Sequence, residues 1–155
     1  MKTISKRFAQ LLFMTALAGI IAAGCSKEKR VEHRLEKVKN WNIDKIDYQK
    51  VQTGTGVTAK VGTETNAGTM IFNKDGSGSY DYMLDGQKRT GTFTWTNSVN
   101  NVTFNYVATS ATIVQAVSYT ILDDSSKSMT LQGSEVIIDA TGNQLVLNAT
   151  FYLSK

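Results

Sequence analysis

The chain has 155 residues, 41% hydrophobic and 19% charged, with one cysteine and no proline. That length holds a single domain and a leader, and a lone cysteine excludes an internal disulfide. The net charge of +4 comes from the first 39 residues. From Asn40 onward ten Asp and Glu outnumber eight Lys and Arg, so the body lacks the concentrated positive face that nucleic acid binding needs.

The N-terminus has the three parts of a secretory signal: charge, a short apolar run and a small-residue cleavage site. Lys2, Lys6 and Arg7 supply the charge. The uncharged stretch Phe8 to Ile21 follows, then Ala22, Ala23 and Gly24 ahead of Cys25. The apolar run falls short of the ~20 residues of a spanning helix. The run Ile21-Ala22-Ala23-Gly24-Cys25 resembles the lipobox of bacterial lipoproteins. That resemblance implies that the Cys25 thiol receives a diacylglycerol and that cleavage leaves Cys25 first. The expected organisation is a signal peptide over 1–24, a lipidated charged tether over 25–39 and a β-barrel domain over 40–155. The expected location is the cell envelope, anchored by lipid at the outer membrane and facing the periplasm or the surface. No cofactor is expected beyond the acyl lipid on Cys25.

Residues 26–40 are densely charged, with Val31, Leu35 and Val38 at helical spacing. This predicts a short, mostly solvated helix or a flexible stalk. Its positive balance suits anionic headgroups.

After Trp41 the pattern alternates with period two, the mark of strands. Val57, Ala59 and Val61 open the series, followed by Met70 and Phe72, then Tyr80, Tyr82 and Leu84. Phe93 and Trp95, then Phe104 and Tyr106, Val117 and Tyr119, and finally Leu145 to Leu153 continue it. Asp75-Gly76 and Asp85-Gly86 are hairpin signals. Asn97 to Asn101, Asp123 to Lys127 and Thr141-Gly142-Asn143 punctuate the rest. Met129 and Leu131 are odd-numbered, whereas Val136 and Ile138 are even. This predicts a change of inward face at Gly133, through a β-bulge or a tight turn. The fold class is therefore all-β, an antiparallel up-and-down meander of about eight to ten strands. Closure as a barrel is favoured over a β-sandwich.

Trp41 at the first strand, Phe72 to Tyr80 (FNKDGSGSY) and Gly91 to Trp95 (GTFTW) resemble the short bacterial lipoproteins called lipocalin-like. The resemblance covers residues 40–155 and implies a barrel with Trp41 closing one end.

The chemistry of most enzymes is missing. The one histidine, His33, lies in the tether, and an acylated Cys25 leaves the body without imidazole or thiol. Ser-His and Cys-His nucleophiles and His/Cys zinc sites are excluded, so neither a catalytic residue nor a metal ligand is expected. Carboxylates remain, mostly at turns or outward strand positions. Asn73 to Gly78 lacks the closing Glu of a calcium loop and reads as a hairpin turn. Inward aromatics either fill a core or line a cavity for a small apolar ligand. Tyr82, Trp95, Phe104 and Tyr106 are the candidate pocket residues. The expected function is a non-enzymatic, membrane-anchored binding module. The alternative is a structural or protein-interaction module of the envelope with a filled core.

Overall fold

The computed structural model describes residues 26–38, 40–52, 59–107, 114–138 and 144–155. Cys25, the export segment, Val57 and the Thr141-Gly142-Asn143 turn lie outside these residues.

Among the described residues one helix precedes eight strands: α1 (Lys27–Lys37), β1 (Trp41–Gln52), β2 (Ala59–Phe72), β3 (Ser77–Leu84), β4 (Gln87–Asn97), β5 (Asn101–Val107), β6 (Val114–Asp124), β7 (Ser128–Ile138) and β8 (Gln144–Ser154). Each strand pairs antiparallel with its sequence neighbours. β1 then pairs β8, from Asn42 opposite Ser154 to Gln52 opposite Leu145. The sheet is a closed up-and-down barrel, and closure leaves no edge strand to protect. The sandwich alternative is overturned by that last pairing.

The turns follow their residues. Asp85 and Gly86 both adopt positive φ, 55° and 70°, the conformation of a two-residue type I′ hairpin. Asn73 to Ser77 closes a wider turn in which Gly76 takes the left-handed position, at φ 78°.

The barrel has two distinct ends. β1 begins and β8 ends at the helix end, beside turns 73–76, 98–100 and 125–127. The far end carries the Asp85-Gly86 turn, the last residues of β1, β5 and β7 and the first of β2, β6 and β8.

The helix is not a free stalk, and this corrects the expectation for the segment. Ser26 caps it by accepting a hydrogen bond from Lys29 N at 3.3 Å, a common N-cap contact. Val31 and Leu35 are fully buried and belong to the same core as the barrel rings. Trp41 Nε1 donates to Leu35 O at 3.3 Å, and Asn97 Nδ2 donates to Glu28 O at 2.9 Å. Arg34 pairs with Asp124, at both its carboxylate and its backbone carbonyl. The apolar stripe thus covers the helix end of the barrel. The opposite face, with Lys29, His33 and Lys37, stays exposed. Trp41 is buried at this end, as the resemblance implied.

Inside, rings and glycines sit opposite each other on paired strands: Tyr48 with Gly62, Phe93 with Gly78, Tyr80 with Gly91 and Tyr119 with Gly133. Each ring lies over its glycine so closely that a Cβ there would approach ring atoms to between 2.3 and 2.6 Å. Small residues let large rings lie against the wall of a narrow barrel.

Gly133 therefore makes room for Tyr119 and is not a bulge. The β7–β8 register runs unbroken from Ser128 to Ile138. Val136 is 46% exposed, so the inner face keeps odd parity from Met129 to Glu135. The irregularities lie elsewhere: between Ile121 and Asp123 in β6, and between Ile43 and Lys45 in β1. In β2 the apolar alternation points outward, with Val61 74% exposed. Its inner positions near the far end are Gly62 and Glu64, opposite Tyr48 and Ile46.

Candidate functional site: a tyrosine cluster inside the barrel

From the helix end to the middle, the barrel is packed with side chains. Phe72 meets Phe93 and Trp95 edge-on, both at 5.5 Å between ring centroids. Phe93 and Phe104 are 4.8 Å apart. Trp95 Nε1 donates to Ser77 O at 3.0 Å, which fixes the indole near the helix end. Phe104 lies between Phe93 and Tyr119, at 5.0 Å from the latter. Two of the four candidate pocket residues, Trp95 and Phe104, thus belong to the packed part.

The other two belong together. Tyr82 sits 5.4 Å from Tyr80 and 5.6 Å from Phe151. Tyr106 meets Tyr80 at 5.7 Å, and its hydroxyl is 3.4 Å from that of Tyr119. β3, β5 and β6 therefore gather four tyrosines, Tyr80, Tyr82, Tyr106 and Tyr119, beyond the phenylalanine layer. Tyr80 and Tyr106 keep partial exposure, so solvent reaches this layer.

Two charged residues join them. Arg89 is the register partner of Tyr82 on β4 and shares the inward parity of Phe93 and Trp95. Glu135 lies two positions past Gly133 on β7, with the same inward parity. Arg89 Nε is buried and has no hydrogen-bond partner. Among the described residues no ion pair joins Arg89 and Glu135. Burial pushes the hydroxyls of Tyr82, Tyr106 and Tyr119 well above the ordinary tyrosine range, and Glu135 adds to the effect. Burial also raises the Glu135 carboxyl, with Arg89 acting against it. At neutral pH the tyrosines are neutral donors and acceptors, unsuited to act as bases.

Toward the far end, the Asp85 carboxylate gathers three donors. Lys50 Nζ lies at 2.7 Å, Lys60 Nζ at 2.5 Å and Tyr48 Oη at 3.2 Å. The hydrogen bonds from Lys50 and Lys60, in that order, hold its pKa down to about 2. Glu64 Oε1 accepts from Gly86 N at 3.3 Å. These contacts tie the β3–β4 hairpin to β1 and β2.

A separate concavity of about 930 Å³ lies on the outer wall, where Asp47, Thr63, Gln132, Ser134 and Asn148 contribute polar groups. His33 is exposed on α1. Among the described residues no three His, Cys, Asp or Glu converge to hold a metal, and no helix is long and apolar enough to cross a membrane.

Sequence reasoning missed Arg89 and Glu135. The signal was present in the strict odd numbering of Arg89, Gly91, Phe93 and Trp95, and of Met129, Leu131, Gly133 and Glu135. The apolar Val136 and Ile138 outweighed it.

No protein-family model matches the chain, and no curated protein sequence does. Among solved structures, the chain is similar to a deswapped triple mutant of bovine odorant binding protein, at 11% identity over 74% of this chain and 70% of that one, with a TM-score of 0.38. It is also similar to odorant binding protein OBP1, at 13% identity over 75% and 69%, with a TM-score of 0.39. Likeness at this level assigns neither family nor ligand.

Proposed function

We propose that this chain is a lipid-anchored envelope protein whose barrel binds a small, largely apolar ligand at the tyrosine cluster and performs no catalysis. The observation that carries the reading is a cluster of polar groups on the inner wall. Two tyrosines of the core, Tyr82 and Tyr119, and two packed against it, Tyr80 and Tyr106, stand beside an arginine whose buried Nε has no protein partner. Buried polar groups are normally satisfied, and amphipathic tyrosines are at ease where one side is apolar and the other holds a ligand or water. With neither imidazole nor thiol in the barrel, and with tyrosines held neutral, the cluster has hydrogen bonds to offer rather than a nucleophile.

The anchor sets the direction from which a ligand would come. Acylated Cys25 would directly precede Ser26, the cap of a helix docked on the barrel. No slack separates lipid from domain. The helix end, with Lys29, Arg30, His33 and Lys37 exposed on α1, would face the headgroups. The tyrosine cluster would lie on the side away from the bilayer.

The test is native mass spectrometry of residues 26–155 after exposure to an envelope extract. A discrete added mass, lost in Tyr82→Ala and Tyr106→Ala, is the expected result. A clean ligand-free mass from folded protein would replace this reading with the protein-interaction module.

A further inference from the structure

The unpartnered donor of Arg89 narrows what the cluster would hold. We propose that its ligand carries an acid group, a carboxylate received by Arg89 on β4 with Glu135 on the opposing β7 wall; this rests on the ligand-binding reading above. Arg89 Nε is buried with no acceptor in reach, and a guanidinium presents a fork of donors that matches a carboxylate. The hydroxyls around it do not supply that acceptor. Tyr106 and Tyr119 face each other at 3.4 Å, and the Tyr82 hydroxyl is not a partner of Arg89 Nε.

The other charged groups of the inner wall leave Arg89 dominant. Lys50 from β1 is committed to Asp85, which also holds Lys60. β8 contributes apolar Leu147 and Ala149, and β2 contributes Gly62 opposite Tyr48 and Glu64, whose carboxylate accepts from Gly86 N at the far-end turn. Glu135 is the remaining charge facing Arg89. Burial raises the Glu135 carboxyl and Arg89 opposes that shift, and in its protonated form it would donate a hydrogen bond to a bound carboxylate. The phenylalanine layer below is packed ring against ring, so the acid head would stop at the tyrosines. A hydrocarbon of the same length would leave Arg89 Nε buried and unsatisfied, the costly outcome for any buried donor, and an alcohol would offer it one neutral acceptor in place of a charged, two-oxygen one.

The experiment compares octanoic acid with octan-1-ol as probes, by calorimetry at pH 7 on residues 26–155, the helix and closed barrel that share one core. Octanoate is expected to bind at least tenfold more tightly than the alcohol. Arg89→Met should erase that preference while leaving the alcohol's affinity in place, and Glu135→Gln should leave octanoate bound. Arg89→Lys, which keeps the charge and loses the fork, should retain part of the preference and decides the matter if Arg89→Met fails to fold. Equal affinity for the two probes, or a preference that survives both arginine variants, overturns the acid-group inference while leaving a ligand-binding barrel. Binding of neither probe overturns the inference as well, and the extract measurement above then decides whether the binding reading falls with it.

Discussion

A carboxyl on the inner wall of a barrel loses water, and unless a partner replaces that water the charged form is disfavoured. Glu135 is in this position, raised by burial with only the opposing influence of Arg89. The consequence for stability has a definite sign. Below the ordinary pKa of 4.5, folded and unfolded chains are both protonated there and Glu135 contributes nothing to the pH dependence. As pH rises past that value the unfolded chain ionises first, so stability falls until the folded carboxyl also ionises, and it stays lower above that point. Asp85 has the opposite sign. Its pKa is held down to about 2 from a usual 3.8, so its contribution is complete above 3.8 and is lost as pH falls toward 2. Glu135→Gln is therefore expected to stabilise the protein at pH 7 by about 1 kcal/mol, the scale of a typical single substitution. The gain should disappear by pH 4. Urea unfolding at the two pH values checks this, and an equal effect at both would show that the carboxyl is not the cause. Neither role was read from the sequence. Asp85 was legible as a turn residue because an Asp-Gly pair states its own geometry. Glu135 was not, because its side depends on which neighbour fixes the register.

The elements were legible where the signal is local. Period-two runs and Asp-Gly turns located β3, β4 and β8 and their parity, because a half-buried strand writes its inner face into the sequence. The signal failed where register is set by a partner strand. Ala59 and Val61 read as one face of a strand, yet Val61 is exposed and the inner positions go to Gly62 and Glu64. β2 shifts phase around Asn66 and Gly68, whose φ values of 48° and 149° mark the irregular backbone, and no pattern within the run announces that shift. The helix shows the same division. Its spacing of Val31, Leu35 and Val38 was legible, but docking depends on whether the barrel end offers a matching surface. Leu35 is fully buried at that surface, so Leu35→Ala should cost about 2–5 kcal/mol, the range for a large core side chain truncated to a methyl. On a free stalk the same change would cost almost nothing. Thermal unfolding of the two forms, with the far-UV spectrum as a check on the strands, separates these outcomes.

At the scale of the whole molecule, a docked helix turns an anchor into an orientation. A flexible stalk would let the barrel tumble above the membrane, and lipidation would then fix only its location. With Ser26 capping a helix whose inner face lies in the barrel core, a lipid on the preceding Cys25 would pin the helix end to the bilayer. β8 has 11 residues, which places the far end roughly 25 Å higher once strand tilt is allowed for. The Asp85-Gly86 turn would then stand well clear of the headgroups, while Ser126 and Lys127, in a helix-end turn, would lie near them. Two or more acyl chains hold a protein stably where one does so only marginally, so Cys25→Ala should release the protein into the soluble fraction. In the lipidated protein, a fluorophore at position 126 should be quenched by brominated lipids and one at position 86 should not. Retention of Cys25→Ala with the membrane would remove the anchor, and equal quenching at both positions would remove the orientation while leaving the anchor intact. The two results together decide whether the far end of the barrel faces the aqueous side.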